Sequence, residues 1–131
     1  MIQTMNRALI ASLLLALAGA SAPAARAQAD EDADAIAELR EAGLDLSKPL
    51  AIDFAFFFPA LKSAERLAPK LQARGFKTRI QPAGGGKDYL LYARKRIVVT
   101  RDAMVEWRRQ FEALAKSENG EYDGWGSPSA Q

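Results

Sequence analysis

Leu50-Ala51-Ile52-Asp53-Phe54-Ala55-Phe56-Phe57-Phe58 decides how the rest of the chain is read. Side chains alternate between the two faces of a strand, which sets Ile52, Phe54, Phe56 and Phe58 on one side and Asp53, Ala55 and Phe57 on the other. The first side is wholly apolar and predicts the core face of a sheet. The second carries one acid and one aromatic and predicts a face open to solvent or to a partner.

Downstream, Pro59 to Arg74 predicts a helix. Pro59 suits its first turn, and Leu61, Ala64, Leu67, Ala68 and Leu71 form an apolar stripe that ends before Gly75. Pro69 conflicts with this pattern, because an interior proline removes a backbone hydrogen bond, and it predicts a kink near Glu65 or a break into two short helices. Phe76 to Gln81 alternates Phe76, Thr78 and Ile80 with Lys77, Arg79 and Gln81, as in a half-buried strand with a cationic outer face. Pro82 to Lys87 is a hairpin connection, and Asp88 to Val99 a second strand, with Arg94-Lys95-Arg96 at its far end. Thr100 is placed to cap a helix with Asp102 in its first turn and Met104, Trp107, Phe111 and Leu114 as its apolar stripe, aided by Val105 and Ala115. That helix fades by Ser117 to Gly120. Glu121-Tyr122-Asp123-Gly124-Trp125-Gly126 then closes the chain as a short strand beside the first one, with Trp125 as a buried anchor.

Upstream, Asp30 to Ala42 predicts a helix from Ile36, Leu39 and Ala42, with acids crowding its N-terminal turn and Gly43 as its stop. The order after this helix is β-α-β-β-α-β, the ferredoxin-like pattern: an α+β fold in which an antiparallel sheet carries its helices on one face.

Residues 1–29 read as a secretory leader. Ala8 to Ala20 is an apolar run too short for a membrane span, which needs about 20 residues. Ser21 to Ala29 is rich in small residues, with Pro23 expected to break any helix, and Ala25-Arg26-Ala27 and Ala27-Gln28-Ala29 are cleavage sites. The expectation is an exported protein, periplasmic or secreted, with residues 1–27 or 1–29 removed. No cysteine follows the run to carry a lipid. The parse is leader 1–29, acidic helix and connector 30–49, domain 50–127 and tail 128–131.

The leader holds Arg7 and Arg26 and no acid, so 18 bases against 16 acids become 16 of each from Asp30 onward, and the basic pI belongs to the precursor. The charge is unevenly spread. Asp30 to Asp45 holds seven acids against Arg40 alone, while Leu46 to Gln131 holds fifteen bases against nine acids. An acidic arm precedes a basic body.

There is no histidine and no cysteine. This excludes Ser-His-Asp and Cys-His nucleophile systems and zinc sites built on imidazole or thiolate. No cofactor and no metal is expected. Gly84-Gly85-Gly86-Lys87 lacks the phosphate-loop spacing and precedes a strand, so it reads as a hairpin loop. Asp30, Asp32, Asp34 and Glu41 imitate calcium-loop spacing, but Ala35 replaces the required glycine, and a solvated helix start is expected. Asp53, the one acid inside the apolar strand, is the residue a carboxylate-based enzyme would use, and its alternation points it to solvent. The expected reading is a domain without enzymatic activity.

Lys77, Arg79, Arg94 and Arg96 fall on neighbouring strands, with Tyr92 or Phe57 nearby. They suggest a partner surface, or alternatively a face that binds an anionic polymer or a membrane surface.

The order of elements, the Leu114-Ala115 pair and the run from Gly120 to Ser127 resemble the regulator of ribonuclease activity B family, whose members inhibit ribonuclease E. The resemblance spans Leu50 to Ser127, and its specific part is Tyr122 to Gly126. It implies a ferredoxin-like domain that is not an enzyme and acts by protein–protein contact, with ribonuclease E as partner. The contact residues expected are those of the sheet face and of the segment around Trp125: Phe57, Lys77, Arg79, Arg94, Arg96, Tyr122, Asp123 and Trp125. Three features depart from the family pattern. The leader points to export whereas ribonuclease E is cytoplasmic, the chain ends in Ser127-Pro128-Ser129-Ala130-Gln131 without an acidic tail, and the domain body is basic.

Overall fold

The apolar alternation of Leu50 to Phe58 becomes the spine of the molecule. A computed structural model describes residues 21–128, and side chains from Asp30 onward. The apolar run of the expected leader lies outside the described residues. The elements are α1 (Ser21–Glu41), β1 (Leu50–Phe58), α2 (Leu61–Gln72), β2 (Lys77–Ala83), a one-turn helix at Gly84–Gly86, β3 (Asp88–Ile97), α3 (Arg101–Ser117) and β4 (Glu121–Gly126). The strands form one antiparallel sheet in the order β2-β3-β1-β4, so β1 and β3 are central and β2 and β4 are edges. The α+β, ferredoxin-like arrangement expected from the sequence is the one found.

Ile52, Phe54, Phe56 and Phe58 are completely buried, and the helices cover them with Ala64, Leu67 and Leu71 of α2 and Met104, Phe111 and Ala115 of α3. Phe111 is the hub of this core. Its ring stands edge-on to Phe54, Phe56 and Phe76 at centroid distances of 4.8, 5.2 and 5.5 Å, and stacks on Trp107 at 5.3 Å. Val105, expected to aid the α3 stripe, is exposed instead, since it lies about 100° round the helix from the Met104–Phe111 line. The Thr100 hydroxyl caps α3 by accepting from the Ala103 N–H at 3.0 Å.

Two prolines behave differently from expectation. Pro69 does not split its helix. α2 runs unbroken from Leu61 to Gln72, because Pro69 lies near its C-terminal end and the carbonyl it leaves without a donor belongs to exposed Glu65. Pro23 does not break the chain either. α1 runs unbroken through Pro23 and through both expected cleavage sites.

The acidic helix is packed, not free. Ile36 and Leu39 of α1 are buried in the same core as the sheet, and α1 lies against α3. It therefore does not cover Phe57, which stands on the opposite face of the sheet.

Candidate functional site

The face of the sheet away from the helices is laid out by the strand register. One row across β2, β3, β1 and β4 is Lys77, Arg94, Asp53 and Gly126. The next is Arg79, Tyr92, Ala55 and Gly124, and the third is Gln81, Leu90, Phe57 and Glu121. Arg96 stands opposite Ala51 at one end. No described element covers this face, and Phe57, Leu90 and Tyr92 on it are half-buried by their neighbours alone.

The cations are unequally committed. Arg94 holds Asp53 with two hydrogen bonds, Nε to Oδ1 at 2.6 Å and Nη2 to Oδ2 at 2.8 Å. These bonds and the carboxylate charge push the guanidinium pKa further up. Arg96 donates to the Pro49 carbonyl at 3.0 Å. Arg79 lays its guanidinium over the Tyr92 ring, 4.9 Å from the centroid. Lys77 is exposed at the edge. Lys77, Arg79 and Arg94 with Asp53, Thr78 and Tyr92 line a cleft of about 180 Å³.

The remaining expected contact residues lie elsewhere. The pairing of β1 with β4 shifts between Ala55 and Phe56, so that Gly124 faces Ala55, Tyr122 faces Phe56 and Asp123 is the extra residue of a bulge. Gly124 has φ +113°, a conformation that L side chains rarely adopt. Without the bulge, Tyr122 and Trp125, three residues apart, would point to opposite faces. With it both point to the helix side, opposite Phe56 and Phe54. Tyr122 and Trp125 are thus half-buried against the core, while Asp123 is exposed. The Tyr122 hydroxyl is buried and has no hydrogen-bond partner among the described residues, and burial raises its pKa above the ordinary phenol range.

Trp125 has a partner the sequence did not suggest. Its Nε1–H donates to Asp32 Oδ1 at 3.0 Å, and Arg108 donates to the same carboxylate through Nη1 to Oδ2 at 2.6 Å and Nη2 to Oδ1 at 2.5 Å. Asp32 is 2% exposed, so the expectation of a solvated helix start is corrected here. A signal existed: Asp32 precedes Ile36 by four residues and so shares the buried stripe of α1. Among the described residues no group of three His, Cys, Asp or Glu side chains is placed to hold a metal ion. No described helix is long and apolar enough to cross a membrane.

The β-bulge that turns Tyr122 and Trp125 together lies inside the sequence run that carried the resemblance, and the comparison with family models agrees with it. The model described as regulator of ribonuclease activity B matches residues 29–127. The chain belongs to the regulator of ribonuclease activity B family. No curated protein matches the chain. In this member of the regulator of ribonuclease activity B family the matched span takes in Asp32, Arg108 and Trp125, together with the whole sheet. By its description the family consists of regulators, which accords with a domain that works by binding.

Proposed function

We propose that the chain is a non-enzymatic regulator that acts by contact with a protein, with ribonuclease E as the partner to test first, and that it is exported after loss of its leader. The observation that carries the first part is the family match across residues 29–127. The architecture supports it. The core is filled by aromatic and aliphatic side chains, and a flat sheet face is left uncovered by any described element, as suits recognition by surface contact.

Export rests on the leader pattern and is compatible with the packing. Asp32, Ile36 and Leu39, the residues through which α1 is buried, all follow the two cleavage sites, so cutting after Ala27 or Ala29 leaves every one of these contacts in the mature chain. The family match also begins at residue 29.

Two measurements test this. Surface plasmon resonance with immobilised ribonuclease E should give saturable binding of the purified protein, and a flat response over the soluble concentration range would remove that partner. Cell fractionation with N-terminal sequencing should find a chain beginning at Gln28 or Asp30 outside the cytoplasm. Intact precursor confined to the cytosol would end the export reading.

A further inference from the structure

Resting on the reading of the chain as a protein-binding regulator, we infer that its open sheet face is the contact surface and that it takes an acidic segment of the partner. Such a segment would set a carboxylate in the cleft between Lys77, Arg79 and Arg94 and an apolar side chain on the neighbouring Phe57–Leu90 pair.

The charge on the face argues for a carboxylate. The cleft carries three cations and one acid, and that acid, Asp53, is held entirely by Arg94. Lys77 and Arg79 remain as an exposed positive pair on the edge strand. A cleft of about 180 Å³ suits a single carboxylate side chain rather than a large ligand.

The same details argue against nucleic acid. Binding a phosphate backbone draws on many cations, whereas here Arg94 is neutralised by Asp53 and Arg96 is turned back onto the Pro49 carbonyl. Bases stack on open aromatic faces, and the Tyr92 ring is already covered by Arg79.

The geometry sets the spacing. The Arg79–Tyr92–Ala55 row and the Gln81–Leu90–Phe57 row are two residues apart along each strand, about 7 Å. An extended partner segment with an acid and an apolar residue at positions i and i+2 would reach both. Gly124 leaves the middle row without a side chain on the β4 edge, so that side of the strip is low.

The test is an amide chemical-shift titration of the full chain with three probes: a short capped peptide of Glu and Phe, the same peptide with Lys for Glu, and oligothymidylate. The Glu/Phe peptide should move the amides of Lys77, Arg79, Leu90, Tyr92, Ala55 and Phe57, and the Lys peptide should not. The K77E/R79E variant should weaken the Glu/Phe peptide about ten-fold or more. Both positions are exposed, and K77Q/R79Q, which avoids new charge repulsion, should show a smaller loss with an unchanged melting temperature. Absence of shifts with the Glu/Phe peptide, shifts confined to the helix side, or equal affinity in the charge-reversed variant would overturn the assignment. Tighter binding of oligothymidylate at the same amides would hand the face to nucleic acid and overturn it too. Ribonuclease E binding separates the two levels. If K77E/R79E binds ribonuclease E as the native chain does, the surface is wrong and the regulator reading stands. If the native chain takes the peptide on this face but ignores ribonuclease E, the surface stands and that partner fails.

Discussion

Replacing Asp32 by asparagine should be among the most damaging single changes in the molecule, although it is one of seven acids between Asp30 and Asp45. The carboxylate is 2% exposed and receives two hydrogen bonds from Arg108, whose side chain is 13% exposed, and one from the Trp125 indole. The variant Asp32→Asn leaves the Arg108 charge buried without its counter-ion, a loss of about 3–5 kcal/mol. Domains of this size are stable by only about 5–15 kcal/mol, so about a fifth or more of the total would go. Arg108→Met should cost a similar amount, because it strands the Asp32 carboxylate with the Trp125 N–H alone. Trp125→Phe, which keeps most of the packing and loses one bond to a charged acceptor, should cost about 1.5–3 kcal/mol. The two charged changes must not add: Asp32→Asn with Arg108→Met removes both charges together, leaves an amide oxygen to accept from the Trp125 N–H, and should cost less than the sum of the two single variants by about 2 kcal/mol or more. Urea melts followed by far-ultraviolet circular dichroism measure each corner of the cycle. A loss below about 1 kcal/mol for Asp32→Asn, or simple additivity in the double variant, would refute the view that this network clamps α1 to α3 and β4.

Three further changes probe other parts of the fold. Tyr122→Phe removes a buried hydroxyl with no partner among the described residues and should be neutral or stabilising by about 1 kcal/mol in a urea melt. Because burial raises its pKa, the native chain should lose stability as pH rises past the ordinary phenol value of about 10, where the unfolded chain ionises Tyr122 and the folded one resists it, and alkaline melts of Tyr122→Phe should lack that part of the decline. Gly120→Ala would drive its new Cβ into the Phe58 ring and the Phe57 carbonyl and should lower stability by about 1–3 kcal/mol, read by thermal melting. Glu118 accepts from Arg66 at 2.7 Å and Lys70 at 3.1 Å, and these bonds lower its pKa. Its contribution is therefore present above the ordinary glutamate value of about 4.3 and lost as pH falls below it, so Glu118→Gln should flatten the acid limb of a stability profile.

Much of the architecture could be read from the sequence because its signals are local. The β1 alternation, the α2 and α3 stripes and the Thr100 cap each lie within a few residues of one another, and each element was found within two residues of its expected ends except α1. What the sequence hid depends on long-range partners or on backbone geometry. Asp32 looks solvated until Arg108, 76 residues away, is brought against it. Tyr122 and Trp125 alternate to opposite faces unless the bulge at Asp123 and Gly124 is known. This is why the expected contact residues divide in two: Phe57, Lys77, Arg79, Arg94 and Arg96 share the open sheet face, whereas Tyr122 and Trp125 turn to the core. Charge counting placed the cations correctly but could not foresee that Arg94 and Arg96 are taken up by Asp53 and the Pro49 carbonyl, while Arg79 lies over the Tyr92 ring and keeps its charge exposed.

Regulation by contact is tested most directly by the rate of RNA cleavage by purified ribonuclease E. Adding the protein should lower that rate saturably with no change to the RNA when the enzyme is left out. An unchanged rate at saturating protein, or cleavage of the RNA by the protein alone, would contradict it.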